Sequence, residues 1–456
     1  MIEGRTVAET FAAWAAGLQP EAIPETARAV AGNALLDIAG LCLAARAADY
    51  LQAALAALDA EGPCTAFGHG RGLDTAGAAL INGTAAHGED FDDSFEGTPV
   101  HASAVVLPAV LAAAERYDRN GSDVLRGYVA GTELMCRLAL VAPTAIHRAG
   151  FHPTAVIGAL GAAAGAGVTL GLNQRQLTDA LGIAGSLASG IIEYLAEGTW
   201  TKRLHAGWAA QSGLRAALMA RAGFIGPRTV LEGTHGFYRA FAPSIPARFD
   251  PLLDDLGTRW VCEDIAFKPY ACGTMTQPFI DCAIALAESG VQAADIVEIV
   301  CPVGEGTVHR LWEPLASKQR PPTPYAAKFS TPYCMAVGFF DRRAGFEQFT
   351  EARIQDPQVL ALASRIRYVI DPDDEYPRAF TGGLRAVLAD GREAEHRQPF
   401  MRGGVKAPLT PAQVEAKFTA NAAFGGWPAA RAAAWIAFAA GAFEAPDLSA
   451  LKEFRG

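Results

Sequence analysis

No two of the eight cysteines form a CxxC pair; Cys42, Cys64, Cys136, Cys262, Cys272, Cys282, Cys301 and Cys334 stand far apart. That spacing excludes a zinc ribbon and suits reduced cytoplasmic thiols better than a disulfide framework. A basic stripe is also missing: 38 scattered Lys and Arg face 48 Asp and Glu, for a formal charge of -10. Such a chain has little with which to displace counterions from phosphates, so nucleic-acid binding is excluded. The segment "MIEGRTVAETFAAWAAG" lacks a signal-peptide pattern. No apolar run approaches a membrane span without glycine or charge interrupting it. Repeats and low-complexity linkers are absent as well. The expectation is a cytoplasmic globular protein with neither nucleic-acid nor membrane partners.

What is present is alanine, leucine and glycine at helical spacing. With 456 residues, 51% of them hydrophobic, the chain can bury a large core over two or three domains. Apolar residues recur with helical period in "ETARAVAGNALLDIAGLCLAA", "AVVLPAVLAAAERY", "DVLRGYVAGTELMCRLAL", "AVIGALGAAAGAGVTLG" and "GLRAALMARAGF". Past about residue 255, "DIVEIVCPVG", "SRIRYVIDP" and "GGLRAVLADGREAEHRQPF" read as strands between turns. Helical period returns in "TPAQVEAKFTANAAF" and "AARAAAWIAFAAGAFE". The predicted organisation is an all-helical domain over 1–257, an α+β domain over 258–400, and a helical return to the first domain over 401–456.

Basic residues stand where helices are predicted to start. In "TPVHASAVVLP", Thr98 is a candidate N-cap, Pro99 takes the first helical position and His101 the first turn. His152 precedes Pro153 at the mouth of another helix, and Lys202 opens a helix that also carries His205. A helix N-terminus ordinarily disfavours cations by about 0.3–1 kcal/mol. Three such positions suggest a shared anion, such as a substrate with several carboxylates. "HGEDFDDSFEGTPVHAS" adds five carboxylates within eight residues. Wrapped as a helix, His87, Asp90 and Ser94 share one face, and Asp92, Asp93 and Glu96 fall elsewhere, in structural or surface roles. Crowded carboxylates repel, which favours a general base among any that are buried. Lys268, in "AFKPYACGTMTQ", can hold a carboxylate as a point charge. "AAKFSTPYCMAVGFFD" carries Lys328, Ser330 and Tyr333. Taken alone, Tyr333 reads as a buried aromatic with a locally bonded hydroxyl.

In order along nearly the whole chain, these segments resemble the MmgE/PrpD family, which includes 2-methylcitrate dehydratase, cis-aconitate decarboxylase and iminodisuccinate epimerase. The resemblance implies a mainly α fold: a large all-helical domain formed by both chain ends plus a smaller α+β lid domain, in a homodimer. It also implies a site with no metal or other cofactor. Transferred by position, the catalytic set is His101, Asp90, His152 and Tyr333, with Asp90 orienting the imidazole of His101. The substrate-binding set is Ser94, Lys202 and Lys268, together with His205 and Cys272 on the same segments. Gly273 and Gln277 depart from the family pattern. The implied activity is a cofactor-independent lyase or isomerase that removes a proton alpha to a carboxylate of a small di- or tricarboxylate. Two other readings compete. One is a non-catalytic carboxylate-binding or scaffold homologue. The other is a magnesium-dependent helical terpenoid-synthase-like enzyme, based on the DDxxE match at Asp92 to Glu96, although the second metal motif of such enzymes is missing.

Overall fold

A computed structural model describes residues 4–98, 100–376 and 378–456, in two compact units. The first comprises residues 1–88, 92–265 and 411–456; the second comprises 89–91 and 266–410. The long boundaries fall at 265 and 410, where the sequence suggested 257 and 400.

The first unit is a helical bundle. Helices Thr75–His87, Ser103–Arg116, Gly121–Val141, Pro153–Thr169 and Thr201–Arg221 form its centre. Pro153–Thr169 is buried on almost every face, and alanine and glycine let its neighbours approach. Helices Thr75–His87 and Thr201–Arg221 touch backbone to backbone: a Cβ on Gly83 would lie 2.7 Å from the Cα of Gly207. That contact brings His87, the last residue of one helix, toward the first turns of the other. Side chains cap several starts, with Asp74 accepting from the Gly77 N–H at 2.8 Å and Asn120 from that of Asp123 at 2.8 Å.

Helix Glu25–Ala45 departs from the sequence expectation, because by length and composition it could cross a membrane, with a mean hydropathy of 1.4. Its 18-residue window is 67% buried inside the protein, as in a core helix. The returning helix Pro411–Phe424 packs on it, and Lys417 pairs with the buried Asp37 at 2.6 Å.

The second unit holds a four-stranded sheet. Ile296–Val303 runs parallel to Ile366–Ile370 and antiparallel to Gly382–Leu388, which pairs in turn with Glu393–Gln398. Helix Gln277–Glu288 packs on the last two strands and on helix Thr331–Asp341. Ser330 caps the latter, accepting from the Tyr333 N–H at 3.1 Å.

Candidate active site

Four of the nine histidines of the chain gather in the first unit. Helix Thr75–His87 ends on His87, and His101 lies two residues before helix Ser103–Arg116. His152 is the N-cap residue of Pro153–Thr169, and His205 sits in the second turn of Thr201–Arg221. Their rings form a ladder. His101 and His87 have centroids 4.9 Å apart, His87 stacks on His152 at 5.6 Å and 25°, and His152 lies 5.3 Å from His205. Tyr194 meets both His152 and His205 edge-on, at 6.2 Å and 5.7 Å.

The hydrogen bonds assign the ring protons. His101 Nδ1 lies 2.6 Å from the Asp93 carbonyl oxygen, which can only accept, so Nδ1 carries the proton and Nε2 is the basic nitrogen of the neutral ring. The backbone N–H of His101 donates to Thr154 Oγ1 at 3.3 Å, tying it to the helix that begins beside His152. His87 Nδ1 donates to Asp92 Oδ2 at 2.7 Å, and the same oxygen lies 3.5 Å from His101 Nδ1. His87 Nε2 is buried and has no partner among the described residues.

Electrostatics divides the cluster. Burial, followed by the charges of His87, His205 and Lys202, holds His152 well below the usual histidine range. Burial first, and then His87 and Lys202, lowers His205 to about 4. The two rings meet through their Nδ1 atoms at 3.1 Å, as a neutral pair sharing one proton. Asp93 is lifted to about 7 by burial and by Asp92, partly offset by the Ser103 N–H that its carboxylate accepts at 3.2 Å.

One ligand atom each from His87, Asp92 and His101 lies within 4.8 Å of the others, a spread that could hold a metal ion. The separations of 2.7 Å at His87 Nδ1 and 2.6 Å at His101 Nδ1 are hydrogen-bond lengths.

In the second unit, the three residues Glu89–Phe91 are gripped by cations and a phenol. Lys268 donates to the Asp90 carbonyl oxygen at 3.1 Å, and Tyr325 donates to Asp90 Oδ2 at 2.8 Å. Lys328 donates to the Glu89 carbonyl oxygen at 2.8 Å and to its carboxylate at 2.6 Å. These contacts hold Asp90 at φ 57°, a left-handed conformation that costs a non-glycine residue roughly 1–3 kcal/mol.

Several sequence expectations change here. The acidic stretch is not a helix, since the helix stops at His87, so Asp90 and Ser94 do not share a helical face; Ser94 instead lies buried in a short strand. Thr98 caps no helix, because the helix begins at Ser103, and Pro99 lies outside the described residues. Asp92 and Asp93, assigned to structural or surface roles, are fully buried against the histidines. They orient His101, which was the role expected of Asp90. Tyr333 follows its local reading: its hydroxyl is buried and donates to the Gln348 carbonyl oxygen at 2.6 Å. Cys272 is buried with its thiol on the Gly273 carbonyl oxygen at 3.7 Å and beside Cys334. The first unit brings together His101, His152 and His205, with Lys202 in the first turn of its helix. Sequence reasoning named His87 and Lys328 without giving either a role, placed Asp92 in a structural or surface role, and did not single out Tyr325. The alternation of histidine and acid from His87 to Asp93 was the available signal.

Residues 9–250 match the MmgE/PrpD N-terminal domain, and residues 270–438 match the MmgE/PrpD C-terminal domain. Human cis-aconitate decarboxylase is 31% identical over 363 residues, covering 76% of this chain and 72% of the human protein. Cis-aconitate decarboxylase of Aspergillus terreus is 28% identical over 424 residues, covering 87% and 85% of the two chains. The mouse enzyme of that name is 30% identical over 367 residues, covering 76% and 71%.

Proposed function

Because the chain belongs to the MmgE/PrpD family and is an enzyme of that type, we propose that it is a cofactor-independent lyase of small di- or tricarboxylates, with cis-aconitate as the first substrate to test. The observation that carries this reading is the four-histidine ladder, with its protons fixed by Asp92 and the Asp93 carbonyl and with Lys202 near its far end. Lys202 and the starts of helices Pro153–Thr169 and Thr201–Arg221 supply positive potential for substrate carboxylates and for the enolate-like charge that develops when a bond to the adjacent carbon breaks. His101, with Nδ1–H locked on a carbonyl, presents Nε2 as the acid/base. The neutral pair His152 and His205 offers hydrogen bonds without a fixed charge. The name shared by the three relatives favours carbon dioxide loss over dehydration or epimerisation.

The test follows citrate, 2-methylcitrate, cis-aconitate and iminodisuccinate by NMR in deuterated water, recording product and deuterium uptake. One of them is expected to react, and His101→Ala should lower its kcat by about 10²–10⁴-fold. Turnover at the wild-type rate in that variant would sink the assignment.

A further inference from the structure

We infer that His87, oriented by Asp92, is a second acid/base residue of this site and the one that delivers the proton to substrate carbon. The inference rests on the polycarboxylate-lyase reading above. Its geometry is that of an Asp–His dyad: Nδ1–H sits on the Asp92 carboxylate at 2.7 Å, which fixes the tautomer and leaves Nε2 as the working nitrogen. The ring is 1% exposed, yet Nε2 has no partner among the described residues. Buried nitrogens are normally satisfied, so an unsatisfied one beside an acid/base site marks the place where a reacting group docks. The ring lies between His101 at 4.9 Å and His152 at 5.6 Å, in the middle of the ladder.

Apart from His101, the acid/base of the reading above, alternatives for the donor are limited. The Tyr333 hydroxyl is committed to the Gln348 carbonyl. His152 and His205 face each other through Nδ1 and are held neutral. His87, by contrast, holds the Asp92 carboxylate through Nδ1 at 2.7 Å and keeps Nε2 free of protein partners among the described residues.

The step balances. When a substrate carboxylate leaves as carbon dioxide, the electron pair of the broken C–C bond remains on the skeleton. The Nε2–H bond of the His87 imidazolium breaks, its proton forms the new C–H bond, and the ring is left neutral with Nδ1–H still on Asp92. A proton from solvent restores it, so a tricarboxylate trianion and one proton give a dicarboxylate dianion and carbon dioxide.

Two measurements decide the matter, on variants His87→Gln, Asp92→Asn and the double substitution, which leaves no unpaired carboxylate if a single variant folds poorly. In steady-state turnover, each is expected to lower kcat by about 10²-fold or more with KM within about threefold of wild type. A kcat within about threefold of wild type in His87→Gln would overturn the inference. Independently of turnover, ¹⁵N-histidine NMR of the wild-type protein is recorded with tricarballylate, a saturated tricarboxylate that cannot react. The Nε2 resonance of His87, assigned by its loss in His87→Gln, should shift on ligand addition; an Nε2 unmoved at saturation would overturn the inference. A wild-type enzyme that turns over none of the four substrates refutes the lyase reading instead, and the tricarballylate experiment still decides the place of His87.

Discussion

Asp93 sits fully buried beside Asp92, and its folded value of about 7 stands well above the 3.8 of a free aspartate. Below about pH 4 both folded and unfolded chains hold the proton, so no stability is lost. Between about 4 and 7 the unfolded chain ionises first, and stability falls as pH rises, by on the order of 4 kcal/mol in total. Asp93→Asn, which can still accept the Ser103 N–H, should therefore gain on wild type between pH 4 and 8 in urea unfolding. His205 acts in the opposite direction. Its folded value of about 4 lies below its ordinary 6.5, so its contribution is intact above 6.5 and is lost as pH falls through 4. A His205→Gln variant should show an unfolding free energy less dependent on pH across that window, by about 3 kcal/mol. His101, His152, His205 and Lys202 were legible in the sequence because they stand beside proline or at helix starts, which are local features. Asp92 and His87 were not, because their meaning depends on the chain leaving the helix at Gly88 and turning through Asp90 at φ 57°. No periodicity encodes that turn.

At the scale of elements, the ladder depends on how closely helices Thr75–His87 and Thr201–Arg221 approach. Gly207 lies against the Leu80 carbonyl and Thr84, where an added methyl has backbone in its way. Gly207→Ala should force the helices apart, costing about 1–3 kcal/mol in unfolding free energy. The same displacement separates His87 from His205, so kcat should fall more steeply than stability alone explains. Alanine at Asp74, a cap remote from the histidines, should cost a similar 1 kcal/mol or so while leaving kcat unchanged. Comparing the two variants separates spacing from mere destabilisation. Helical period and the wealth of glycine made these elements and their close packing legible. The start of Ser103–Arg116 was not, because in sequence Thr98 and Pro99 imitate a cap and a first turn while the helix begins only at Ser103.

For the whole molecule, the decisive feature is that the chain returns to its first unit at residue 411 after the sheet-containing unit has been formed. The renewed helical period near residue 410 announced this return; the residues that secure it lie far apart in sequence. Lys417 and Asp37 form an ion pair buried in the helical unit, next to Phe418, which lies against Gly40. Breaking one side takes a charge partner away from a buried ion, whereas replacing both removes the desolvation cost together with the attraction. Lys417→Met alone should thus lower unfolding free energy by about 3–5 kcal/mol, and Lys417→Met with Asp37→Leu should restore it to within about 1 kcal/mol of wild type. Urea titrations of the two single variants and the double variant close this cycle. A Lys417→Met loss below about 1 kcal/mol would mean that the terminal helices are attached by apolar packing alone, and that the buried pair contributes little to holding the two ends of the chain together.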